Sequence, residues 1–339
     1  MPILGLDIGS KSIKLVQLEK AGDKYSLLAA GITSSPVADV PSATEQDLGL
    51  VAEAVKKLFT EIKATVRNVN VALPENKVFT PFIKLPYLTD KEIDSAISWQ
   101  AEPYIPIPVA EASIDYQVIG RTEPQGNKPG GVEVLLVAAP KTLVQKYAKV
   151  ATLAGLTVTM VETELLALVR AIAPKGQTVV VADFGATSSS VAIVRDGQLV
   201  ISHSVPTGGE ALTRAVASSL GMNIQQAEEY KKAYGLNTGT AEGKVAEALS
   251  PVLRVIADEV KKAIQYYKTE AGDNNSISSL ILTGGTAGMP EVVPFLANIL
   301  GMEVVIGDPF SKIAKDGRIE KTFAAFAPLY GVAIGLAQE

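Results

Sequence analysis

The stretch LDIGSKSIKLVQL, residues 6–18, returns as ADFGATSSSVAIV at residues 182–194, so that Asp7 falls on Asp183 and Gly9 on Gly185, both displaced by 176 positions in a chain of 339. A repeat spaced by about half the chain constrains the fold more than any other feature, because it asks for two similar halves. Each copy reads as an apolar strand, a tight turn holding a glycine, a second strand, a turn at Gly22-Asp23 or Asp196-Gly197, and a third strand. Each half is therefore predicted to open on a three-strand meander.

After the first meander, Leu48, Val51, Val55, Leu58 and Ile62 recur at helical spacing behind Thr44, a residue suited to cap them, and VNVALP returns as a strand. Residues 76–162 read as strand, helix, strand, a Gly/Pro-rich turn over 124–131, strand, helix and strand, the β-α-β-β-α-β order of a ferredoxin-like unit, and so as an inserted subdomain. The second meander is followed by mainly helical sequence from Gly209 to about Ala271, then by SSLILTGG (strand), PEVVPFLANILG (helix), MEVVIGDP (strand) and a closing helix near TFAAFAPLYGVAIGLA. Strands alternating with helices place the chain in the α/β class.

Composition removes whole classes of chemistry. Zero cysteines and a single histidine, His203, exclude disulfides, thiolate nucleophiles, Cys-based metal centres and histidine clusters, and His203 itself reads as structural. With 31 basic against 36 acidic residues and no basic block, there is no electrostatic footprint for nucleic acid or anionic lipid. The N-terminus lacks the charged and apolar regions of a signal peptide, and the two charge-free stretches, 274–290 and 322–338, contain Gly and Pro and fall short of a membrane span. The expectation is a cytoplasmic protein in which APLYGVAIGLA is a tightly packed internal helix.

The repeated turns carry the chemistry. In the first, Gly9 lets backbone amides approach phosphate oxygens, Ser10 can donate, Lys14 can neutralise, and Asp7 can hold a hydrated Mg²⁺; an ordinary hairpin with surface charges is the alternative. In the second, Asp183, Gly185, Thr187 and Ser188 repeat the form, so that two hairpins could grip phosphates from opposite sides while their carboxylates share one metal; a solvated Ser-rich turn is the alternative. LILTGGTAGMPEV brings a buried strand into Gly284, Gly285 and Gly288, where a ribose, an adenine or an α-phosphate could approach the backbone.

In this order LDIGSKSIK, ETELLALVRA, VVVADFGATSSSVAIV, LILTGGTAGMPEV and APLYGVAIGLA resemble the phosphate 1, connect 1, phosphate 2, adenosine and connect 2 motifs of the actin-like ATPase superfamily. KLPYLTDKEIDSAISWQAEPYIPIPVAEASIDYQVIG, VEVLLVAAPKTLVQKYAKVATLAGL, GGEALTRAVA and AEEYKKAYG are similar to the PilM family of type IV pilus assembly proteins, relatives of FtsA, and the resemblance spans nearly the whole chain. It implies the two-lobed, duplicated ribonuclease H-like fold: subdomain 1A from 1–75 with 163–178 and 320–339, the inserted 1C at 76–162, 2A from 179–207 with 275–319, and helical 2B at 208–274.

The resemblance further implies ATP and Mg²⁺ between the lobes, weak or absent hydrolysis, and docking of the N-terminal cytoplasmic tail of PilN, the partner of PilO in the inner membrane. Asp7 and Asp183 would organise Mg²⁺ through water, and Gly9, Ser10, Lys14, Gly185, Thr187 and Ser188 would hold phosphate. Gly284, Gly285 and Met289 would flank the nucleoside, with Glu228, Lys231 and Lys232 at the ribose and adenine edge unless the two lysines simply form a solvated helix face. Glu164 opens the connect 1 helix, where relatives place a water-orienting or base residue, although Glu162 is equally available. The Trp99, Glu102, Tyr104, Ile105, Pro106, Pro108 cluster is either core and rim of the insert or part of a partner groove. Alternative functions are an FtsA-like filament former, against which the chain's ending at GLAQE without an amphipathic tail argues, and a small-molecule kinase, for which no acceptor site is apparent.

Overall fold

The computed structural model describes residues 1–126, 129–270, 276–314, 316–317 and 319–339; Ala271, the expected limit of the helical stretch, and residues 127 and 128 of the expected turn lie outside them. The first meander is β1 (Ile3–Ile8), β2 (Ser12–Ala21) and β3 (Lys24–Ser34). Helix α1 (Glu45–Glu61) then buries Leu48, Val51, Val55 and Leu58. Its start is fixed by a reciprocal cap: Asp47 N–H donates to Thr44 Oγ1 at 3.2 Å, and Thr44 N–H donates to Asp47 Oδ2 at 2.9 Å. Thr44→Ala is expected to cost about 1 kcal/mol, read as a lowered urea midpoint. Strand β4 (Asn68–Leu73) lies parallel to β1.

The segment expected to be a closed six-element unit has its elements in the expected order but divides between two sheets. Strands β5 (Phe82–Pro86), β6 (Ala112–Thr122) and β7 (Gly131–Pro140) form a three-stranded sheet in the order β5-β7-β6, with α2 (Asp90–Ala101) contributing Ile93 and Ile97 to its core. Helix α3 (Lys141–Leu153) and β8 (Thr157–Thr163) leave this unit. Strand β8 pairs parallel with β4, and Leu143, Tyr147 and Val150 of α3 pack into the core under α1. The reason is local: the five-stranded sheet β3-β2-β1-β4-β8 would otherwise end at β4, whose residues 69–73 are all buried and need a neighbour.

Helix α4 (Glu164–Ile172) leads to β9 (Thr178–Phe184), β10 (Ser189–Arg195) and β11 (Gln198–Val205), followed by α5 (Gly209–Leu220), α6 (Ile224–Tyr234) and α7 (Lys244–Glu270). Strand β12 (Ser279–Thr283), α8 (Val292–Leu300), β13 (Glu303–Ile306) and α9 (Gly331–Ala337) complete the chain. The second sheet runs β11-β10-β9-β12-β13, which repeats the first strand for strand: a meander, then two parallel strands added beside its first member. The duplication seen in the sequence is thus a duplication of topology.

Helix α4 packs on β10 and β11 of the second sheet and on β4 and β8 of the first, while α9 packs on α4 and on β1, β2 and β4. Every residue of α9 from Gly331 to Ala337 is buried, as expected of a tightly packed internal helix. Among the described residues no helix is long and apolar enough to cross a membrane.

Candidate functional site

Strand pairing places Asp7 directly opposite Lys14, and the β-period turns both side chains to one face, where they meet at 3.0 Å and are almost fully buried. The turn between them is closed by Gly9 N–H donating to the Ser12 carbonyl at 3.1 Å. In the second hairpin the same register sets Asp183 opposite Ser190, so the position that holds Lys14 in one copy holds a hydroxyl in the other. A Cβ at Gly185 would lie 2.9 Å from the Ser188 carbonyl, and the turn is tied to α5 by Gly209 N–H and Glu210 N–H donating to the carbonyls of Gly185 and Ala186. The tips of the two hairpins face each other, with Thr187 Oγ1 3.5 Å from Ser10 Oγ.

Two buried carboxylates therefore share one ammonium, and a third stands close by. Burial pushes Asp183 up to about 6; the Lys14 charge opposes that rise and the Asp7 charge adds to it. Glu164, at the first turn of α4, is held well above the usual carboxylate range by burial and then by the negative charges of Asp7 and Asp183. This surplus of negative charge fits a cation. Among the described residues no three histidine, aspartate or glutamate side chains stand close enough to hold an ion directly.

Glu162 and Glu164 are placed differently. Glu162 receives a two-pronged bond from Arg170, each N–O distance 2.7 Å, and Arg170 Nε also meets Glu339 at 2.7 Å. Only Glu164 reaches the cleft.

Strand β12, parallel to β9, delivers Gly284 beside Asp183 with φ of 86°, and a Cβ there would sit 2.6 Å from Asp183 Oδ1 and from the Phe184 carbonyl, so no larger residue fits. Gly285 and the buried Met289 follow on the same wall.

Lys231 behaves unlike a solvated helix lysine. It is buried, and its ammonium donates to the Gly209 carbonyl at 3.0 Å, Thr213 Oγ1 at 2.8 Å and Glu228 Oε2 at 2.7 Å, which uses all three protons to brace α5 against α6. Lys232 stays exposed and meets Glu228 Oε1 at 3.2 Å. Burial raises the Glu228 pKa, but the bonds from Lys231 and Thr213 and the charge of Lys231 outweigh it and bring it down to about 2. Because the folded value lies below the ordinary 4.5, the stability contributed by the Glu228 charge is full above pH 4.5 and is lost as pH falls toward 2. Glu228→Gln is expected to destabilise the protein by about 1 kcal/mol at pH 7, a figure reduced for solvent screening, with the deficit closing below pH 4.5; urea midpoints measured from pH 3 to 7 test this.

The residues proposed from the sequence for metal, phosphate, nucleoside and base roles, from Asp7, Gly9, Ser10 and Lys14 through Glu164, Asp183, Gly185, Thr187 and Ser188 to Glu228, Lys231, Lys232, Gly284, Gly285 and Met289, line one cleft of about 1380 Å³ between the two sheets. Sequence reasoning missed Lys11, which crosses the cleft mouth to Glu210 at 3.0 Å, and also Lys77 and Phe326 on the walls. The position of Lys11 inside the repeated turn was the available signal for it. His203 lies away from the cleft and pairs with Glu259 at 3.1 Å. The Trp99 cluster splits: Ile105 is buried in the core of the insert, whereas Trp99 is 78% exposed and Tyr104 also faces solvent.

The family model described as type IV pilus assembly protein PilM matches residues 5–339. Cell division protein FtsA of Streptococcus pneumoniae is 23% identical over 344 residues, covering 90% of this chain and 75% of its own. Among solved structures, the PilM-PilN type IV pilus biogenesis complex matches with a TM-score of 0.82 at 25% identity, over 99% of this chain and 97% of that one. MreB5 of Spiroplasma citri bound to ADP matches with a TM-score of 0.55 at 14% identity, over 98% and 94%, a likeness of fold. The two-lobed actin-like architecture anticipated from the motifs is the one observed.

Proposed function

The chain belongs to the type IV pilus assembly protein PilM family, and from that premise we propose that it is a nucleotide-responsive adaptor of the pilus assembly complex at the inner membrane. It binds ATP with Mg²⁺ between its lobes, hydrolyses it weakly or not at all, and docks the N-terminal cytoplasmic tail of PilN. The observation that carries the nucleotide reading is the convergence of both hairpins and the Gly284 turn on one cleft whose carboxylates exceed its nearest ammonium. The solved PilM-PilN complex, similar over 99% of this chain, supports the partner.

In this reading Asp7 and Asp183 hold Mg²⁺ through water, and the ion, when bound, neutralises phosphate charge. Lys14, Ser10, Thr187 and Ser188, with the open backbone at Gly9 and Gly185, hold the phosphates. Gly284, Gly285 and Met289 form the nucleoside wall, while Glu228 and Lys231 keep α5 and α6 together behind it and the exposed Lys232, paired with Glu228, stands at the nucleoside edge. Glu164, whose pKa is raised by burial and then by the charges of Asp7 and Asp183, faces the cleft as the candidate water-orienting or base residue, and a cation bound there would offset part of that negative charge.

The test is calorimetric titration with ATP and Mg²⁺, alone and after saturation with a PilN N-terminal peptide. Binding whose affinity changes with the peptide supports the adaptor, and absence of binding in both states removes the nucleotide. Lys14→Met is expected to weaken nucleotide binding about ten- to a hundredfold, the equivalent of about 1.5 to 3 kcal/mol for a charge-assisted phosphate contact. Unchanged affinity would take Lys14 out of the site.

A further inference from the structure

Where the chain leaves β4, Pro74, Asn76 and Lys77 line the cleft, but the Glu75 side chain turns inward and is 4% exposed. Its carboxylate accepts the Leu165 N–H at 3.4 Å, the Thr80 hydroxyl at 3.4 Å, and the hydroxyls of Thr163 and Ser202. Its own N–H donates to Glu164 Oε2 at 3.2 Å. Thr163 and Leu165 belong to the start of the helix that joins the two sheets; Ser202 belongs to β11 of the second sheet and is also hydrogen-bonded to Thr80. One buried side chain thus touches the segment leading into the insert, the linking helix and the opposite lobe. Burying a carboxylate is costly unless its oxygens are engaged, and a hydrophobic residue would fill an inert loop at lower cost.

We propose that Glu75 is a positioning residue: it holds the Glu164 carboxylate at the cleft wall and makes that placement depend on the contact of Thr80 with Ser202, and so on how the two lobes meet. The inference rests on the nucleotide reading of the cleft, which it deepens by giving the bound state a route to the insert. Closing or opening the lobes moves Ser202 relative to Glu75, and Glu75 transmits the movement to the helix start that carries Glu164. The groups whose charge acts on Glu164 are Asp7, Asp183 and Glu75, and Tyr147 of α3 also senses it.

The test follows the Glu164 carboxyl carbon by NMR across pH in the full chain with ¹³C-labelled glutamate, without ligand, its signal assigned by its loss in Glu164→Gln. Glu75→Gln keeps the length and the oxygen that accepts from Leu165, and is expected to lower the Glu164 midpoint only by the small share that the Glu75 charge contributes, leaving it well above that of Glu75→Asp. Glu75→Asp keeps the charge but withdraws it by one methylene, and is expected to lower the midpoint by about one unit or more as Glu164 swings toward solvent. Ser202→Ala, which removes only the contact from the opposite lobe, is expected to shift it in the same direction. An unchanged midpoint in Glu75→Asp, or an equal fall in Glu75→Gln, overturns the positioning role; a shift in Glu75→Asp with none in Ser202→Ala overturns its dependence on the lobe contact. Titration of the wild-type protein with ATP and Mg²⁺ separates the two readings, since midpoints that move as expected in a protein that binds no ATP leave Glu75 in its role and remove the nucleotide.

Discussion

Replacing Gly335 by alanine is expected to cost about 3 kcal/mol or more and to lower the urea midpoint accordingly, because the added carbon has nowhere to go. A Cβ at Gly335 would lie 1.8 Å from the carbonyl oxygen of Ala167 and 2.4 Å from its carbonyl carbon. These are backbone atoms of α4, so no rotamer change relieves the clash and the two helices must part. Parting them loosens the bond from Arg170 to the Gly335 carbonyl, 2.9 Å, and the bond from Asn70 to the Leu336 carbonyl, also 2.9 Å and fully buried. Gly49 in α1 supplies the contrast: its Cβ would meet nothing within 4 Å, so Gly49→Ala is expected to stabilise by about 0.5 to 1 kcal/mol. Equal effects of the two substitutions would mean that close backbone contact between α4 and α9 does not hold the lobes together.

That contact was half legible in the sequence. The Ala/Gly-rich run told of a helix that something approaches closely, yet which helix approaches is a property of the assembled layers. The same limit explains the insert. The alternation in LTVTMVE and the apolar stripe of α3 announce a strand and an amphipathic helix, but a strand with one neighbour looks alike in either sheet, and only the bare edge of β4 decides. The repeated hairpins were readable because their chemistry is local: Asp, Gly and the return strand fix each other within eight residues. The sequence leaves open whether Lys231 is solvated because its partners, Gly209 and Thr213, come from a different helix, and helical spacing within AEEYKKAYG shows only Glu228. Glu162 and Glu164 differ by two positions across a strand-to-helix junction, where the side-chain period changes from 2 to 3.6, so their directions depend on where the strand ends.

Asp183→Asn is expected to abolish ATP·Mg²⁺ binding while making the ligand-free protein more stable at neutral pH. The second effect follows from the first copy's having the only lysine at this position of the repeat: Lys14 pairs with Asp7, and Asp183 is left buried with a share of a charge already spoken for. Its folded pKa of about 6 stands above the ordinary 3.8, so ionising it opposes folding: the wild-type protein has its full share of stability below pH 3.8 and loses it as pH rises through 6. The asparagine variant escapes that loss. In chelator its advantage should be about 1 to 3 kcal/mol at pH 7.5 and should vanish near pH 4, read from urea midpoints at the two pH values. A variant that binds ATP·Mg²⁺ as tightly as the wild type would take Asp183 out of the site. A stability difference independent of pH would show that the buried charge is compensated by something other than a ligand. If both expectations hold, the fold maintains an unfavourable carboxylate at the one place where a cation would relieve it, which is how a binding site differs from a core position in a stability measurement.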